Sequence, residues 1–340
     1  MDAHRSHISQ GSYGCFSPTK EYVEACLKRS RGRLLDITIK FPRHITATNY
    51  ALEQVVAEVT PIIGIDASSD LYGTLLDADW QCNKNVTKSL IGPNGEHVLR
   101  WGSLSMTLSE DDWGNFFLAR MEDYPAPGLQ QLEITNISFS TDWFLYGGCS
   151  FPTMLRLRSL KTDWPCLHWL NPQSAALTHL DTTYGGGVIF DHLSGFQKLH
   201  QLCIRDATDT SSYSKDSITL SQLSELHIYG DVNEIIAILV APQLEKLVVF
   251  SSQTRFKRPL PSVPLVEWTF DKTDAYDFLQ YITLTSIFEN MTETRRLSLQ
   301  GFKVELVDDV RNKLKREGRL PTSLKVVEVL VDDARIIICD

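Results

Sequence analysis

The 340-residue chain lacks any long hydrophobic run. Its longest continuous aliphatic stretch, Ile235 to Ala241, is far too short to span a bilayer. The polar N-terminus, Met-Asp-Ala-His-Arg-Ser-His, contains no hydrophobic signal core. A net charge of -9 and a pI near 5.5 leave no excess of Lys and Arg for a general phosphate-binding surface. We therefore expect an intracellular protein, cytoplasmic or nuclear, that engages neither a membrane nor a nucleic acid.

Metal and cofactor motifs are also missing. The seven cysteines are odd in number and form no Cys-x-x-Cys pair, which argues against a zinc site and a disulfide framework. Gly185-Gly-Gly187 is followed neither by Lys-Ser/Thr nor by Gly-x-Gly-x-x-Gly spacing, so it predicts a turn and not a phosphate-binding loop. No nucleotide, haem or flavin signature is present. We predict no metal and no cofactor.

A repeated apolar phrase is the main positive feature of the sequence. The pattern apolar-x-x-apolar-x-apolar occurs ten times, at steps of 20 to 30 residues. A period of this length with this pattern is typical of a leucine-rich-repeat solenoid. An eleventh, detached copy spans Leu34 to Ile39. The ten copies begin at Trp101, Leu129, Leu157, Leu177, Leu199, Leu223, Leu244, Leu265, Thr294 and Leu324.

The phrase predicts an α/β fold. We expect an irregular leucine-rich-repeat-like right-handed solenoid, with a curved parallel sheet and with helices or loops on its convex side. Residues 1–16 are predicted to be a flexible leader, 17–97 to hold capping helices and the first strand, and 98–340 to form the solenoid with a C-terminal cap.

Local patterns predict the main elements of these segments. Helices are expected from Ser17-Pro18, over 52–59, before Pro242, around Phe278 to Ile282 and over Val307 to Leu314. Residues 66–97 are predicted to be irregular, 206–219 and 251–263 to be loops, and 326–338 to be a closing hairpin.

Strand alternation predicts a continuous surface on the concave side. In each copy the last two apolar positions point inward, so the residues beside them point outward. Most outward residues are polar, but Tyr229, Val248 and Phe250 would form an apolar patch on neighbouring strands. The alternative is that the connector at 251–263 folds over this patch. The candidate partner-binding residues are Arg205, His227, Tyr229, Lys246, Val248 and Phe250.

Two chemical alternatives use the same face. Asp181, Cys203 and His227 occupy equivalent outward positions, but Cys203 would lie between the other two, whereas a catalytic base must lie between nucleophile and carboxylate. His179 and His227 would be two strands apart, roughly 10 Å, which is too far for one zinc ion. We therefore predict that the chain is not an enzyme and that it has no catalytic residues.

Several segments resemble the F-box/leucine-rich-repeat-like proteins of mushroom-forming fungi. Residues 22–30, Tyr-Val-Glu-Ala-Cys-Leu-Lys-Arg-Ser, are similar to that family's helix ending in Leu-x-Arg-Ser, and 34–39 to its Pro-Leu-Asp-Ile-x-Ile strand. Residues 100–106 resemble its Arg-Trp-Arg-Ser-Leu-x-Leu strand. Residues 126–132 and 241–247 resemble its Ala-Pro-x-Leu-x-x-Leu repeats.

The resemblance implies a protein-recognition function. In this family an N-terminal F-box binds the Skp adaptor of an SCF ubiquitin ligase, and the repeats recruit the substrate. Residues 1–16 contain neither the Leu-Pro-x-Glu-Ile/Leu opening nor the Cys-x-x-Trp ending of an F-box, so we expect that element to be missing. A Skp-type adaptor would then bind only if an F-box lies upstream. The alternative function is a leucine-rich-repeat-like scaffold or binding protein unconnected with ubiquitin.

Overall fold

A computed structural model gives the fold of this mixed α/β chain, whose described residues form mostly parallel strands and few helices. It describes residues 20–30, 32–40, 85, 88–107, 124–135, 154–163, 176–184, 188–207, 217–251, 256, 259–270, 277–331 and 334–339. The chain divides into two compact units, Met1–Ser174 and Ala175–Asp340. The predicted leader at 1–16, the helix start at Ser17-Pro18 and the helix over 52–59 lie outside the described residues.

Parallel strands dominate the described residues of the first unit. These residues form α1 (Lys20–Arg29), β1 (Leu35–Lys40), a short 3-10 helix (Val98–Arg100), β2 (Trp101–Thr107), β3 (Gln131–Thr135) and β4 (Ser159–Thr162). The strands pair in chain order, each parallel to the next. Residues 88–91 are helical, whereas an irregular segment was predicted. Ser89, Leu90 and Ile91 are all buried, and these consecutive apolar and small residues give no helical periodicity in the sequence.

The second unit is built on a longer series of strands. Its elements are β5 (His179–Thr183), α2 (Val188–Leu193), β6 (Gln201–Ala207), β7 (Ile218–Thr219), β8 (Glu225–Gly230), α3 (Asn233–Ile238), β9 (Leu239–Val240), β10 (Lys246–Phe250), β11 (Leu265–Thr269), α4 (Asp277–Asn290), β12 (Arg296–Gln300), α5 (Val304–Arg316), β13 (Val326–Val331) and β14 (Ala334–Cys339).

These strands lie side by side nearly in chain order. The order is β5, β6, β8, β10, β11, β12, β13 and β14, and every pair is parallel except the last. The antiparallel β13–β14 pair confirms the predicted hairpin. β7 and β9 form a separate parallel pair. α3, α4 and α5 confirm the helices predicted from periodicity. α2 was missed because its apolar residues Val188 to Phe190 are consecutive, whereas the apolar pattern at α3 extends beyond the helix, from Val232 to Leu239.

The repeated phrase marks the buried face of the strands. In the six copies that begin between Leu129 and Leu244, the first and second apolar positions are all buried. The third position is also buried, even where Thr162 and Thr182 replace an aliphatic residue. The hydroxyl groups of these threonines donate to the next backbone carbonyl, 3.3 Å away in each case. The prediction that the last two apolar positions of each copy point inward is therefore confirmed for these six copies.

One copy of the phrase lies two residues earlier than the sequence alignment placed it. β11 pairs Val266 with Leu247 on one side and with Leu297 on the other. The matching buried residues are therefore Val263, Val266 and Trp268. The sequence-based copy began at Leu265, which instead lies on the opposite face and is half-buried. The error arose because Phe270, just beyond the strand, is also buried and completes the same pattern.

Helices and a loop cover the buried face around β11. The Phe256 ring packs edge-on against Trp268, with ring centroids 5.2 Å apart. The backbone N–H of Phe256 donates to Ser286 Oγ of α4 over 3.2 Å. α4 contacts α5, and the side-chain oxygen of Gln280 accepts the N–H of Lys303, just before α5 begins. The apolar core therefore lies on this side of the sheet, and the opposite side carries the candidate site.

Candidate functional site

The side of β6, β8 and β10 opposite the core carries the candidate partner-binding residues. β8 and β10 pair His227 with Val248 and Tyr229 with Phe250. Leu226 and Ile228, which alternate with these residues along β8, are buried. Because successive strand residues point to opposite faces, the candidates share the other side of the sheet, here called the outward face. The structure therefore brings together the residues that the sequence placed on neighbouring strands.

Two aromatic rings meet on the outward face. The Tyr229 and Phe250 ring centroids are 5.8 Å apart and the rings are tilted by 34°. This separation lies within the range in which aromatic pairs attract each other. Tyr229 is 39% exposed, and both Phe250 and Val248 are half-buried. These three residues, called the aromatic patch below, form an accessible apolar surface in the middle of a polar face.

An irregular strand end positions Tyr229. The register between β6 and β8 shifts before Ala207, where Asp206 adopts a left-handed backbone with φ of 54°. Gly230, directly after Tyr229, has φ of 117°, and a Cβ there would lie 2.1 Å from the Ala207 carbonyl oxygen. That carbonyl also accepts the N–H of Asp231 over 2.7 Å. Glycine is required at this close approach, which sets the end of β8 against β6.

The basic candidate side chains around the aromatic patch lie next to carboxylates. Each pair joins a strand to its neighbour or, for the histidine, joins residues two apart on one strand. An anionic ligand would have to compete with these carboxylates, so the surroundings of the patch do not favour one. The pairs are Arg205 Nε with Asp181 Oδ1 at 2.7 Å, Lys246 Nζ with Glu267 Oε2 at 3.0 Å, and His227 Nε2 with Glu225 Oε2 at 3.4 Å.

The carboxylates of these pairs are the site residues that sequence reasoning missed. Asp181, Glu225 and Glu267 lie on the outward face but are not among the candidate partner-binding residues. Their position in the sequence could have indicated these pairs. Asp181 lies one strand away from Arg205, and Glu267 lies one strand away from Lys246. Aligning the repeated phrases by outward position would therefore have revealed the two cross-strand pairs.

The connector at 251–263 packs on the other side of the sheet in its described residues. Phe256 lies against Trp268, which belongs to the buried face. Leu260 and Val263 are also buried, and the N–H of Leu260 donates to the carbonyl of Asn290 at the end of α4 over 2.9 Å. The described residues of the connector therefore lie toward α4 and not on the outward face. Residues 252–255 and 257–258 lie outside the described residues.

The Tyr229 hydroxyl resists ionisation. Burial raises the pKa of Tyr229 above its ordinary value, and nearby Cys203 and Asp181 raise this pKa further. The ordinary value is already about 10, so the phenol is neutral at physiological pH. A neutral phenol can both donate and accept a hydrogen bond while its ring contributes apolar area, a combination that is common at protein interfaces.

The Asp181, Cys203 and His227 set lies in one row, as its spacing predicted. Cys203 pairs with Asp181 on one side and with His227 on the other. The carboxylate of Asp181 holds Arg205, and His227 lies next to Glu225. Across the parts of the chain that are described, no three His, Cys, Asp or Glu side chains could hold a metal ion. This row therefore offers pairing between strands and no recognisable catalytic geometry.

A shallow depression lies in the first unit. Its volume is about 490 Å³, and its lining includes Leu27, Lys28 and Arg100. The Arg100 guanidinium donates to the Ser30 hydroxyl and, over 3.2 and 3.3 Å, to the carbonyl of Arg33. These bonds tie the segment after α1 to the start of β2. Arg100 is therefore explained as a structural residue.

Compared with known proteins, the chain matches no protein-family model and no curated sequence. Within the described segments, every helix is too short or too polar to cross a membrane.

Proposed function

We propose that this chain is a protein-recognition module that binds a protein partner on the outward face of β6, β8 and β10. The observation that carries the proposal is the aromatic patch, an exposed pair of contacting rings on a face where the flanking cations are already paired. Large aromatic side chains contribute strongly to binding at protein interfaces. Paired charges around them suit a partner that contributes a neutral apolar side chain at the centre.

The finer architecture belongs to the same proposal. We propose that the strands form an irregular leucine-rich-repeat-like right-handed solenoid with a curved parallel sheet. The parallel pairing of strands nearly in chain order supports this, as does the constant register of the buried positions from β8 to β13. Each repeat of a solenoid contacts mainly its neighbours, so the outward residues of successive repeats form one extended surface, on which β6, β8 and β10 carry the proposed site.

Within this function, we favour substrate recognition for an SCF-type ubiquitin ligase. The support is the resemblance of residues 22–39, 100–106, 126–132 and 241–247 to fungal F-box/leucine-rich-repeat-like proteins. Co-purification from cells that make the natural full-length product tests it. We expect a Skp adaptor and a cullin to accompany the protein. Their absence would leave the alternative, a scaffold or binding protein unconnected with ubiquitin.

The aromatic patch is tested with a double substitution, Tyr229→Ala with Phe250→Ala. A matched control is Thr269→Ala with Gln300→Ala, because these outward residues continue the same row on β11 and β12. Partners captured by the unaltered chain are identified by mass spectrometry, purified and titrated against all three proteins. We expect the patch variant to bind about 30-fold more weakly or worse, and the control to bind normally.

Thermal melting separates a binding defect from misfolding. Because the substituted side chains of the patch lie on the outward face, we expect the melting temperature of the patch variant to fall by only a few degrees. A patch variant that melts normally and still binds its partner with unaltered affinity would refute the assignment of this site.

A further inference from the structure

The strand β14 ends the series of strands in the second unit. It pairs with β13 in an unbroken antiparallel register, from Val326 opposite Cys339 to Val331 opposite Ala334. Among the described residues, no strand pairs with its other side. A strand in this position presents a row of backbone N–H and C=O groups that can pair with another strand.

Both faces of β14 are apolar and exposed at this edge. Ile336 is 40% exposed and Ile337 is 54% exposed, and consecutive strand residues point to opposite faces. The register places Ile336 beside Val329 and Ile337 beside Glu328, so each isoleucine has a neighbour on the β13 side. The exposure therefore arises at the open edge, and one additional strand would cover both isoleucines.

The devices that normally protect an edge strand are missing from β14. Edges are usually blocked by Lys, Pro or a bulge, and Ala334–Cys339 contains none of them. Arg335 is the only charged residue, and its Nε lies 3.6 Å from Glu328 Oε2. Glu328 is nearly buried and also accepts from Arg296 Nη2 over 2.6 Å. The one charge at the edge is thus compensated within the chain.

We propose that β14 pairs with β14 of a second copy of this chain, antiparallel about a two-fold axis at Ile337. Opposed residues in an antiparallel pair share a face, so the two-fold axis must pass midway between one residue and the same residue of the other copy. An axis at Ile337 places Ile337 opposite itself and Ile336 opposite Ile338 of the other copy. An axis at Ile336 would instead place Arg335 opposite Ile337. The first register matches three isoleucines with three isoleucines.

Charge placement also suits a second copy. In this register Arg335 lies opposite position 339 of the other copy, four residues from the other Arg335. At about 3.4 Å per residue the two arginines are roughly 14 Å apart, beyond the Debye length at physiological ionic strength. Each remains beside its own Glu328, so like charges do not oppose the dimer. The occupant of the edge is therefore an identical strand that is apolar at its three central isoleucines.

Sedimentation velocity from micromolar to submillimolar concentration tests the dimer. We expect the full chain to form a dimer that dissociates on dilution. Ile337→Lys would place two lysines opposite each other, and this variant should stay monomeric throughout while melting within a few degrees of the unaltered chain. Phe278→Lys is the matched control, because Phe278 is apolar and 70% exposed but lies on α4, and it should leave the dimer intact.

A cross-link tests the register without adding charge. Under mild oxidation, Ile337→Cys should form a disulfide with position 337 of the second copy, identified by peptide mass spectrometry, whereas Ile336→Cys should not link to itself. Cross-linking at 336 and not at 337 would overturn the proposed axis. A chain that stays monomeric at every concentration, or a dimer that survives Ile337→Lys, would overturn the proposal and leave the edge to a strand of another protein.

Discussion

The aromatic patch and the β14 edge are both apolar and exposed, yet they can bind in different ways. Tyr229 and Phe250 lie on β8 and β10, which have paired strands on both sides. Their backbone groups are already used in the sheet, so only side chains can meet a partner. Ile336 and Ile337 lie on a strand that is paired on one side in the described chain, so its backbone can also contribute.

This difference teaches how each surface should respond to substitution. Truncation to alanine removes the patch, because the contact depends on two rings. Truncating an isoleucine of β14 would weaken binding at the edge less, because the backbone hydrogen-bonding groups remain. Ile337→Lys is therefore the sharper test there, since it opposes two lysines. The two surfaces should therefore be separable, with variants that abolish one kind of binding and spare the other.

The largest effect is expected from Gly230→Ala, which alters the end of β8 that positions Tyr229 in the aromatic patch. A Cβ at this position would lie 2.1 Å from the Ala207 carbonyl oxygen, and φ is positive. We expect the free energy of unfolding, measured in urea, to fall by at least about 2 kcal/mol. Binding at the patch should weaken as the end of β8 shifts, while dimerisation through β14 should persist in the molecules that remain folded.

Gly318→Ala is the control for this effect. Gly318 also has a positive φ of 68°, but no atom lies within 4 Å of its added Cβ. We expect a loss of about 1 kcal/mol from backbone strain alone. Equal losses in the two variants would show that the contact with Ala207 is not what demands glycine at position 230.

An intermediate effect is expected from Glu328→Gln at the edge. This substitution removes the carboxylate that Arg296 and Arg335 share, and we expect the free energy of unfolding to fall by about 1–2 kcal/mol. It also leaves Arg335 uncompensated beside the second copy. Sedimentation should therefore show a weaker dimer, while partner binding at the patch stays unchanged.

Glu267→Gln is the control for the buried carboxylate. Glu267 pairs with Lys246 on the outward face, where both side chains are accessible to water. We expect its substitution to alter stability by less than about 0.5 kcal/mol. If Glu328→Gln and Glu267→Gln lower the free energy of unfolding equally, the burial of Glu328 does not strengthen its ion pairs at the edge.

The smallest effect concerns the ionisation of Tyr229. Ultraviolet difference titration against Tyr229→Phe should give a phenol midpoint above the ordinary value of about 10, because burial raises this pKa. A raised folded-state pKa means that the folded chain holds the proton more tightly than the unfolded chain does. Relative to Tyr229→Phe, stability should thus be constant below about pH 10 and fall as the pH rises further. A midpoint at or below the ordinary value would contradict the burial of this phenol.

The buried face and the hairpin were predictable, whereas details of register were not. Alternation identified Leu132 and Ile134 as inward residues without any knowledge of their neighbours. The copy at Leu265 was misplaced because two overlapping phrases satisfied the same pattern, and only pairing with Leu247 and Leu297 selected Val266. Helix α2 was missed because its apolar residues Val188 to Phe190 are consecutive and show no helical spacing.

The placement of the candidate residues on one face was predictable, and their interactions were predictable only in part. The sequence placed Tyr229, Val248 and Phe250 on one face of neighbouring strands, since strand side chains alternate with a period of two in any sheet. The bulge at Asp206 and the approach of Gly230 to Ala207 bring together residues about 23 positions apart in sequence. Local pattern carries no information about such distances, because strand order and register are set by packing of the whole unit, and so only the tertiary structure decided them.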